Sequence, residues 1–342
     1  MKVGVLSGGG DAPGINAVIR AVVRKGILNY GNEMIGIKDG WRGLIEGIFA
    51  PLNLDTISGL LPRGGSILGT SRTNPFKDEE GAQKVLNVVK KNRIDAVVVI
   101  GGDDTLGVAN KMNELGLKCV GVPKTIDNDL GLTDYTFGFQ TAVHIACEAI
   151  DRLHTTAEAH HRVMILEVMG RYTGWIALEA GIAGGADVVL IPEKPFDPKE
   201  VCRFIYQRVK RGKMFSLVVA AEGAKPIGSE NIIYGTGLDE FGHPRLGGVG
   251  YYIGKEIEKC TGIETRVVVL GHLQRGGSPI AFDRVLATRY GIAAIDLINK
   301  GQFGKMVALQ GNKIVSVLLK DVIGKRKTVN LDLYEIAKVF SG

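Results

Sequence analysis

Three short clusters of glycine and polar residues directly follow apolar runs, and their residue types suit phosphate chemistry. The first reads Ser-Gly-Gly-Gly-Asp-Ala-Pro-Gly at 7–14, before a helical pattern that starts near Ile15. Consecutive glycines let backbone N–H groups turn toward a phosphate, and the following helix N-terminus adds partial positive charge. A tight turn without a ligand is the alternative for this segment alone. The sequence has neither a GxGxxG nor a GxxxxGK[ST] motif, which disfavours a dinucleotide enzyme or a P-loop NTPase.

The second cluster, Ile-Gly-Gly-Asp-Asp-Thr at 100–105, also follows a strand-like run and opens a helical pattern. Asp103 is placed to hold Mg²⁺, a hard cation that prefers oxygen ligands and keeps several waters while it bridges substrate phosphates. Capping of the helix N-terminus by Asp103 or Asp104 is the alternative that this segment alone leaves open.

The third cluster, Pro-Lys-Thr-Ile-Asp-Asn-Asp at 123–129, places two carboxylates, an amide and a hydroxyl within one short segment. Phosphorylation of an alcohol requires an aligned hydroxyl whose proton is accepted as the new bond forms. A carboxylate near Mg²⁺ and a lysine would stay ionised for that task, so we expect a general base here. A turn by itself also explains Asn128 and Asp129, because both residue types favour loops.

Three further clusters close apolar runs later in the chain, at 167–175, 221–223 and 270–279. Arg171, Arg275 and His272 offer N–H donors for a sugar phosphate, and arginine binds phosphate oxygens through its planar fork. Taken singly, each arginine is more often a surface residue than a ligand.

Short strand-like runs alternate with longer helical patterns, which predicts an α/β fold with mostly parallel sheets. The β-branched runs lie at 3–6, 34–37, 96–100, 119–122, 163–168, 188–191, 217–221, 267–270 and 314–319. Between them apolar residues return every three to four positions, and such stripes pack on a sheet face. Several strands end in glycine or a small polar residue, where open α/β sheets bind ligands. The length of 342 residues predicts two domains.

Composition and charge exclude several classes of protein. A hydrophobic fraction of 45% with 23% charged residues is typical of a folded chain. The net charge of +6 is spread along the chain, with no basic block beyond 325–327, which favours small anionic substrates over nucleic acid. The four cysteines form no CxxC pair or metal-ligand spacing, so we expect reduced thiols. The strand-like start and the lack of long apolar windows predict a cytoplasmic protein without membrane insertion or secretion.

With these clusters in this order, the chain resembles the phosphofructokinase A family over nearly its whole length. Members of that family are two-domain α/β proteins with Rossmann-like three-layer lobes. Many assemble as dimers or tetramers in which neighbouring subunits complete the sugar-phosphate site. The resemblance implies a phosphoryl-donor domain of 1–138 plus about 252–305, and a fructose 6-phosphate domain of 139–251 plus about 306–342.

The resemblance also implies roles for single residues. Thr125, Asp127 and Asp129 would surround the reacting hydroxyl, with Asp127 as general base. The positions that match the phosphoryl donor and Mg²⁺ are Gly10, Arg72 and Asp103. Residues that would hold fructose 6-phosphate are Met169, Gly170, Arg171, Glu222, His272 and Arg275, with Arg162 and Arg266 reaching over from a second subunit. Arg72 and Arg171 would steady the transferring group.

Two positions depart from the ATP-using pattern of the family, whose motifs commonly read GGDG[ST] and PGTIDND. Here the motifs read GGDDT and PKTIDND, and both Asp104 and Lys124 match the pyrophosphate-using branch. Asp104 adds bulk and negative charge on the nucleotide side, where two like charges about 4 Å apart repel by roughly 4 kcal/mol at an effective dielectric near 20. Lys124 supplies the opposite charge and stabilises the departing phosphate. We therefore expect pyrophosphate to be the donor.

Other functions stay open from sequence alone. An ATP-dependent enzyme keeps the chemistry and changes the donor. A non-catalytic sugar-phosphate sensor is disfavoured, because a sensor needs neither a base nor a metal carboxylate. A sugar or lipid kinase of related fold is disfavoured by the segments Met-Gly-Arg and Gly-His-Leu-Gln-Arg-Gly-Gly, which suit a second phosphate on the acceptor.

Overall fold

The computed structural model describes residues 1–228, 233–238 and 244–339, and the chain divides into two compact units. Unit 1 comprises Met1–Gln140 and Arg275–Lys327, and unit 2 comprises Thr141–Gln274 and Thr328–Gly342. The strands are β1 (Lys2–Ser7), β2 (Glu33–Ile37), β3 (Phe49–Pro51), β4 (Ala96–Gly101), β5 (Cys119–Pro123), β6 (Val163–Val168), β7 (Val188–Leu190), β8 (Ser216–Ala221), β9 (Ile233–Leu238), β10 (Pro244–Leu246), β11 (Thr265–Val269), β12 (Lys305–Gln310) and β13 (Lys313–Leu318). The helices are α1 (Ile15–Tyr30), α2 (Trp41–Glu46), α3 (Gly81–Lys91), α4 (Asp103–Glu114), α5 (Phe139–His160), α6 (Trp175–Ala183), α7 (Pro198–Lys210), α8 (Val249–Thr261), α9 (Ala281–Asn299), α10 (Leu319–Val322) and α11 (Leu331–Val339). None of the helices within these described ranges has the length and apolar character needed to cross a bilayer.

Unit 1 is built on a seven-stranded sheet in the order β13-β12-β5-β4-β1-β2-β3. Its five inner strands pair in parallel, and β3 and β13 add antiparallel edges. In β4, Val98 and Ile100 belong to one hydrophobic core, whereas Val97 and Val99 belong to another. Because successive side chains of a strand point to opposite faces, both faces of this sheet are covered. A strand buried on both faces reads as a continuous apolar run, which is why 96–100 was recognisable in the sequence.

Unit 2 contains a four-stranded parallel sheet in the order β11-β6-β8-β7. A core that includes Ile165 of β6 and Val218 of β8 packs against Ile205 of α7 and Ile253 of α8. The strands β9 and β10 form a separate antiparallel pair. Both units therefore confirm the predicted α/β class with mostly parallel sheets.

The division of the chain differs from the predicted domain boundaries in its second half. The segment 252–274 was expected in the first domain, but β11 pairs in parallel with β6 and so lies in unit 2. The segment 306–327 was expected in the second domain, but β12 pairs with β5 and so lies in unit 1. Strand pairing across long sequence distances decides both cases, and it leaves no local signal in the sequence.

Two of the four cysteines are joined, contrary to the expectation of four reduced thiols. Cys202 on α7 and Cys260 on α8 form a disulfide whose Cα atoms are 6.3 Å apart. The two helices pack side by side in the core of unit 2, which brings together cysteines separated by 58 positions. Cys119 and Cys147 are free.

Candidate active site

The loops that carry the first three clusters lie at one edge of the unit 1 sheet. The strands β1, β4 and β5 are neighbours and run parallel, so their carboxyl ends meet at the same edge. β1 pairs with β2 on one side and with β4 on the other, so the winding direction of the chain reverses between β1 and β4. Open α/β sheets bind ligands in the crevice at such a switch point.

The loop after β1 uses two of its glycines to hold its own shape. The N–H of Gly8 donates to the carbonyl of Ile100 at 3.0 Å, and the N–H of Gly9 donates to the carbonyl of Ser71 at 2.9 Å. The expectation that consecutive glycine N–H groups turn toward a phosphate is therefore wrong for Gly8 and Gly9. Of the three glycines, Gly10 alone keeps its predicted phosphate contact as a prediction.

Arg275 lies in unit 1, against this same loop. Its Nη1 donates to the carbonyl of Asp11 at 3.2 Å. A Cβ added to Gly10 would lie 2.7 Å from that Nη1, so the guanidinium packs directly against the backbone of Gly10. Although the resemblance implied a role for Arg275 in sugar-phosphate binding, its contacts here are with the loop matched to the phosphoryl donor.

Lys124 directs its ammonium into the protein. The residue is 2% exposed, and its Nζ donates to the carbonyl of Gly10. Burial lowers the pKa of Lys124 to about 7, and the positive charges of Arg275 and Arg72 also lower it. An anion that enters beside these three cations is neutralised by them and favours the protonated lysine in return.

Asp103 is the first residue of α4, whose N-cap residue is Gly102 without a side-chain cap. Oδ1 of Asp103 accepts a hydrogen bond from the N–H of Gly324 at 3.3 Å, so the structure does not support N-capping as the role of Asp103. Asp104 follows it and is partly buried. In the part of the chain that the structure describes, no group of three His, Cys, Asp or Glu side chains could hold a metal. Mg²⁺ often takes one or two carboxylates and completes its shell with water and phosphate oxygens, and the exposed carboxylate of Asp103 fits that pattern.

The turn after β5 carries Thr125, Asp127 and Asp129. Oγ1 of Thr125 accepts the N–H of Asp127 at 3.1 Å, which ties these two residues together. Burial and, after it, the negative charge of Asp127 raise the pKa of Asp129 to about 7. Because two nearby carboxylates resist simultaneous ionisation, Asp129 holds its proton more strongly than an isolated aspartate does.

Unit 2 presents most of the predicted acceptor residues at the carboxyl edge of its own sheet. Residues 169–171 follow β6 and Glu222 follows β8, with the N–H of Glu222 donating to the carbonyl of Val168 at 2.8 Å. Gly170 has a φ of 140°, and a Cβ there would lie 2.6 Å from the carbonyl oxygen of Thr173. Glycine is therefore required for the chain to turn back on itself at this edge.

Gln274 contacts the predicted acceptor segment, and sequence reasoning missed it. It is 0% exposed, and its Oε1 accepts the N–H of Met169 at 2.7 Å. Within the described residues its Nε2 is buried without a hydrogen-bond partner. His272, two positions earlier, is exposed. A polar residue inside the motif at 271–277 was the signal, but its burial was not readable from sequence.

Arg162 and Arg266 lie at the opposite, amino edge of the unit 2 sheet. Arg162 precedes β6, and Arg266 is paired in register with Met164 near the start of that strand. Glu264 binds both arginines: its Oε2 lies 2.5 Å from Nε of Arg162, and its Oε1 contacts Nη2 of Arg266. The structure thus groups these two arginines but separates them from residues 169–171 by the length of β6.

Comparison with known proteins gives matches along the whole chain. Residues 2–298 match the family model described as phosphofructokinase. The chain is 56% identical over 343 residues to a pyrophosphate–fructose 6-phosphate 1-phosphotransferase of Streptomyces coelicolor, and the alignment covers 100% of both chains. It is 50% identical over 329 residues to ATP-dependent 6-phosphofructokinase 3 of the same organism, and that alignment covers 96% of both chains. A solved pyrophosphate-dependent phosphofructokinase from Marinobacter aquaeolei aligns with a TM-score of 0.84 at 25% identity and covers 97% of this chain and 86% of that chain.

Proposed function

Because this chain belongs to the phosphofructokinase family, we propose that it transfers a phosphoryl group reversibly from pyrophosphate to the 1-hydroxyl of fructose 6-phosphate, a glycolytic reaction. The products are fructose 1,6-bisphosphate and orthophosphate. The structural observation that carries the choice of donor is the buried ammonium of Lys124 at the carbonyl of Gly10.

The surroundings of Lys124 support a compact and highly charged donor. Arg72 and Arg275 both act on its pKa, so three cations face one region at the end of β5. Pyrophosphate carries its whole charge on two phosphates, which suits such a cluster. Asp104 stands in the first turn of α4, where it opposes the extra phosphate of a nucleotide.

Asp127 is the general base of this proposal. It takes the proton of the 1-hydroxyl while the hydroxyl oxygen attacks a phosphorus of pyrophosphate and the bond to the bridging oxygen breaks. Orthophosphate leaves, and Lys124 with Arg72 compensates the charge that develops on it. Thr125 keeps the Asp127 backbone in place through the hydrogen bond to its Oγ1. Catalysis in this scheme is mainly positioning and charge neutralisation.

Mg²⁺ is the cofactor of this proposal, with Asp103 as its protein ligand. When bound, the ion would supply positive charge that neutralises the donor phosphates. The single exposed carboxylate at the start of α4 supports this assignment.

The cytoplasmic location expected from sequence stays a prediction.

Acceptor binding is assigned to residues 169–171, Glu222 and His272, as the resemblance implied. Arg162 and Arg266 lie at the far edge of the same sheet, and a strand of six residues spans roughly 20 Å. They are therefore too distant to hold the same sugar phosphate within one subunit. This separation supports a homodimer or homotetramer in which both arginines serve the site of a neighbouring subunit.

Purified protein assayed with fructose 6-phosphate is the direct test of the function. With Mg²⁺ present, we expect fructose 1,6-bisphosphate to form from pyrophosphate with a kcat/KM at least about tenfold above that with ATP. The ATP alternative has support in the 50% identity to an ATP-dependent relative. A kcat/KM that favours ATP would overturn the donor assignment, and absence of product with both donors would overturn the function.

The affinity for pyrophosphate is expected to fall as the pH rises above 7. The pKa of Lys124 is lowered to about 7 in the protein without ligand, so the ammonium loses its proton above that pH. Because a bound polyanion favours the ammonium, binding above pH 7 requires proton uptake, and the KM for pyrophosphate should rise by up to roughly tenfold per pH unit. Steady-state kinetics from about pH 6.5 to 8.5, corrected for the ionisation of pyrophosphate, measures this. The KM for fructose 6-phosphate is the internal control, and a flat KM for pyrophosphate would contradict the role of Lys124.

A further inference from the structure

The basic run at 325–327 lies along the proposed catalytic turn. The N–H of Gly131 donates to the carbonyl of Lys325 at 3.1 Å, and the N–H of Lys327 donates to the carbonyl of Asp129 at 2.8 Å. One residue earlier in this run of chain, the N–H of Gly324 reaches Oδ1 of Asp103. The segment 324–327 therefore contacts both of the carboxylate clusters in unit 1. It is not simply a solvated charge run.

The ammonium of Lys327 is directed at the turn, not at solvent. Its Nζ donates to Oδ1 of Asn128 at 3.0 Å, to the carbonyl of Thr133 at 3.0 Å and to the carbonyl of Asp134 at 2.6 Å. A lysine ammonium has three N–H donors, so these three acceptors match its capacity. Hydrogen bonds from a charged donor are stronger than neutral ones. Lys327 therefore joins the turn at Asn128 to the loop that follows it.

Asn128 needs such support because of its backbone conformation. Its φ is 52°, in the left-handed region, which asparagine adopts more readily than most non-glycine residues but still at an energetic cost. The residue is 1% exposed, and its Oδ1 also accepts the N–H of Thr136 at 3.1 Å. Strained conformations persist where the surroundings over-determine them, and they cluster at active sites. Lys327 and Thr136 are two groups that hold this one.

The same network reaches the reacting residues. Oγ1 of Thr136 donates to the carbonyl of Thr125 at 2.7 Å, and Oγ1 of Thr125 accepts the N–H of Asp127 at 3.1 Å. A continuous path thus leads from Lys327 through Asn128 to the proposed base. We propose that Lys327 is a positioning residue for Asp127, acting on the turn without touching substrate. This inference rests on the proposed function.

Substitution of Lys327 by methionine tests the proposal, with Lys325→Met as the matched control. Both changes remove one positive charge from the same segment, but Lys325 is exposed whereas Lys327 is partly buried. We expect kcat of K327M to fall about 100-fold, the scale of a small misplacement of a catalytic group, while both KM values change less than about threefold. K325M should keep kcat within about twofold of the unchanged protein. The variant Asn128→Gly tolerates the positive φ but lacks Oδ1, so it should lower kcat by a similar factor. In the double variant, kcat should be little lower than in K327M, because both substitutions break the same network.

A purely structural role gives a different result. In that case K327M lowers the melting temperature and the folded fraction, while kcat per folded molecule stays unchanged, and the proposal is overturned. Equal and additive losses in N128G and K327M would also overturn it, because a shared network requires coupling. If K327M does not fold, N128G alone decides: a lower kcat with unchanged KM supports the proposal, and an unchanged kcat overturns it. If the unchanged protein and K325M both lack pyrophosphate-dependent turnover, the proposed function fails, and this inference fails with it.

Discussion

Replacement of Asp127 by serine is expected to lower kcat by about 10³- to 10⁴-fold, the upper range for loss of a general base. In the proposed mechanism the carboxylate accepts the proton of the 1-hydroxyl, and serine cannot accept it at neutral pH. The backbone of the turn should persist, because the hydrogen bond from the N–H of residue 127 to Oγ1 of Thr125 does not involve the substituted side chain. Single-turnover and steady-state assays with pyrophosphate measure the loss.

The control for this variant is Asp55→Ser, which removes an exposed carboxylate elsewhere in unit 1. It should keep the kcat of the unchanged protein. Melting temperatures of both variants should stay close to that of the unchanged protein, which separates catalysis from folding. If kcat of D127S stays within about tenfold of the original value, Asp127 is not the base.

The second large effect is expected in donor preference. The variant Asp104→Gly/Lys124→Gly removes both the negative charge that we propose to oppose a nucleotide and the cation that we propose to favour pyrophosphate. Roughly 4 kcal/mol of repulsion corresponds to about a 10³-fold change, so the ratio of kcat/KM for pyrophosphate to that for ATP should fall by at least that factor. Assays with each donor on the same preparation measure the ratio.

Single variants separate charge repulsion from steric exclusion as causes of the donor preference. Asp104→Asn keeps the bulk of the side chain and removes the charge. If D104N uses ATP, charge repulsion excludes ATP from the unchanged protein. If D104G uses ATP and D104N does not, the bulk of the side chain excludes it. Lys124→Gly alone should weaken pyrophosphate use without ATP gain, and it should also lose the pH dependence of the KM for pyrophosphate, because the titrating ammonium is gone. A folded double variant that uses pyrophosphate as before and gains no ATP activity would contradict the explanation of donor choice.

The buried position of Lys124 changes how its role is understood. From sequence, the side chain was expected to supply positive charge and to stabilise the departing phosphate. In the structure its ammonium bonds to the carbonyl of Gly10, which lies in the loop between β1 and α1. Lys124 therefore shapes the loop between β1 and α1 as well as the local charge. The arginine against Gly10, Arg275, makes the same loop a meeting point of two cations.

Much of the fold class was readable from local pattern. The strand β4 is buried on both faces, so it appears as an unbroken apolar run, and the glycine and aspartate residues that follow it mark the turn into α4. The order of such runs predicts parallel sheets, and the motifs at strand ends predict where ligands bind. Asp103, Asp127 and Lys124 were accessible in this way because each lies in the short segment that follows the end of β4 or β5.

Long-range pairing was not readable in the same way. The pairing of β12 with β5 and of β11 with β6 moved the expected boundaries, and the packing of α7 on α8 joined Cys202 to Cys260. These contacts connect segments far apart in sequence, and no local propensity encodes them.

The sequence by itself determined the α/β class, the residues at the strand ends and the family to which the chain belongs, because strand burial and turn chemistry are local properties. Only the tertiary structure decided that the N–H groups of Gly8 and Gly9 donate to carbonyls within the protein, that Lys124 is buried, and that Lys327 reaches Asn128. Each of these depends on which distant segment packs beside the residue. Burial and hydrogen-bond partners are properties of the folded chain, and they set the charge and position of the groups that react.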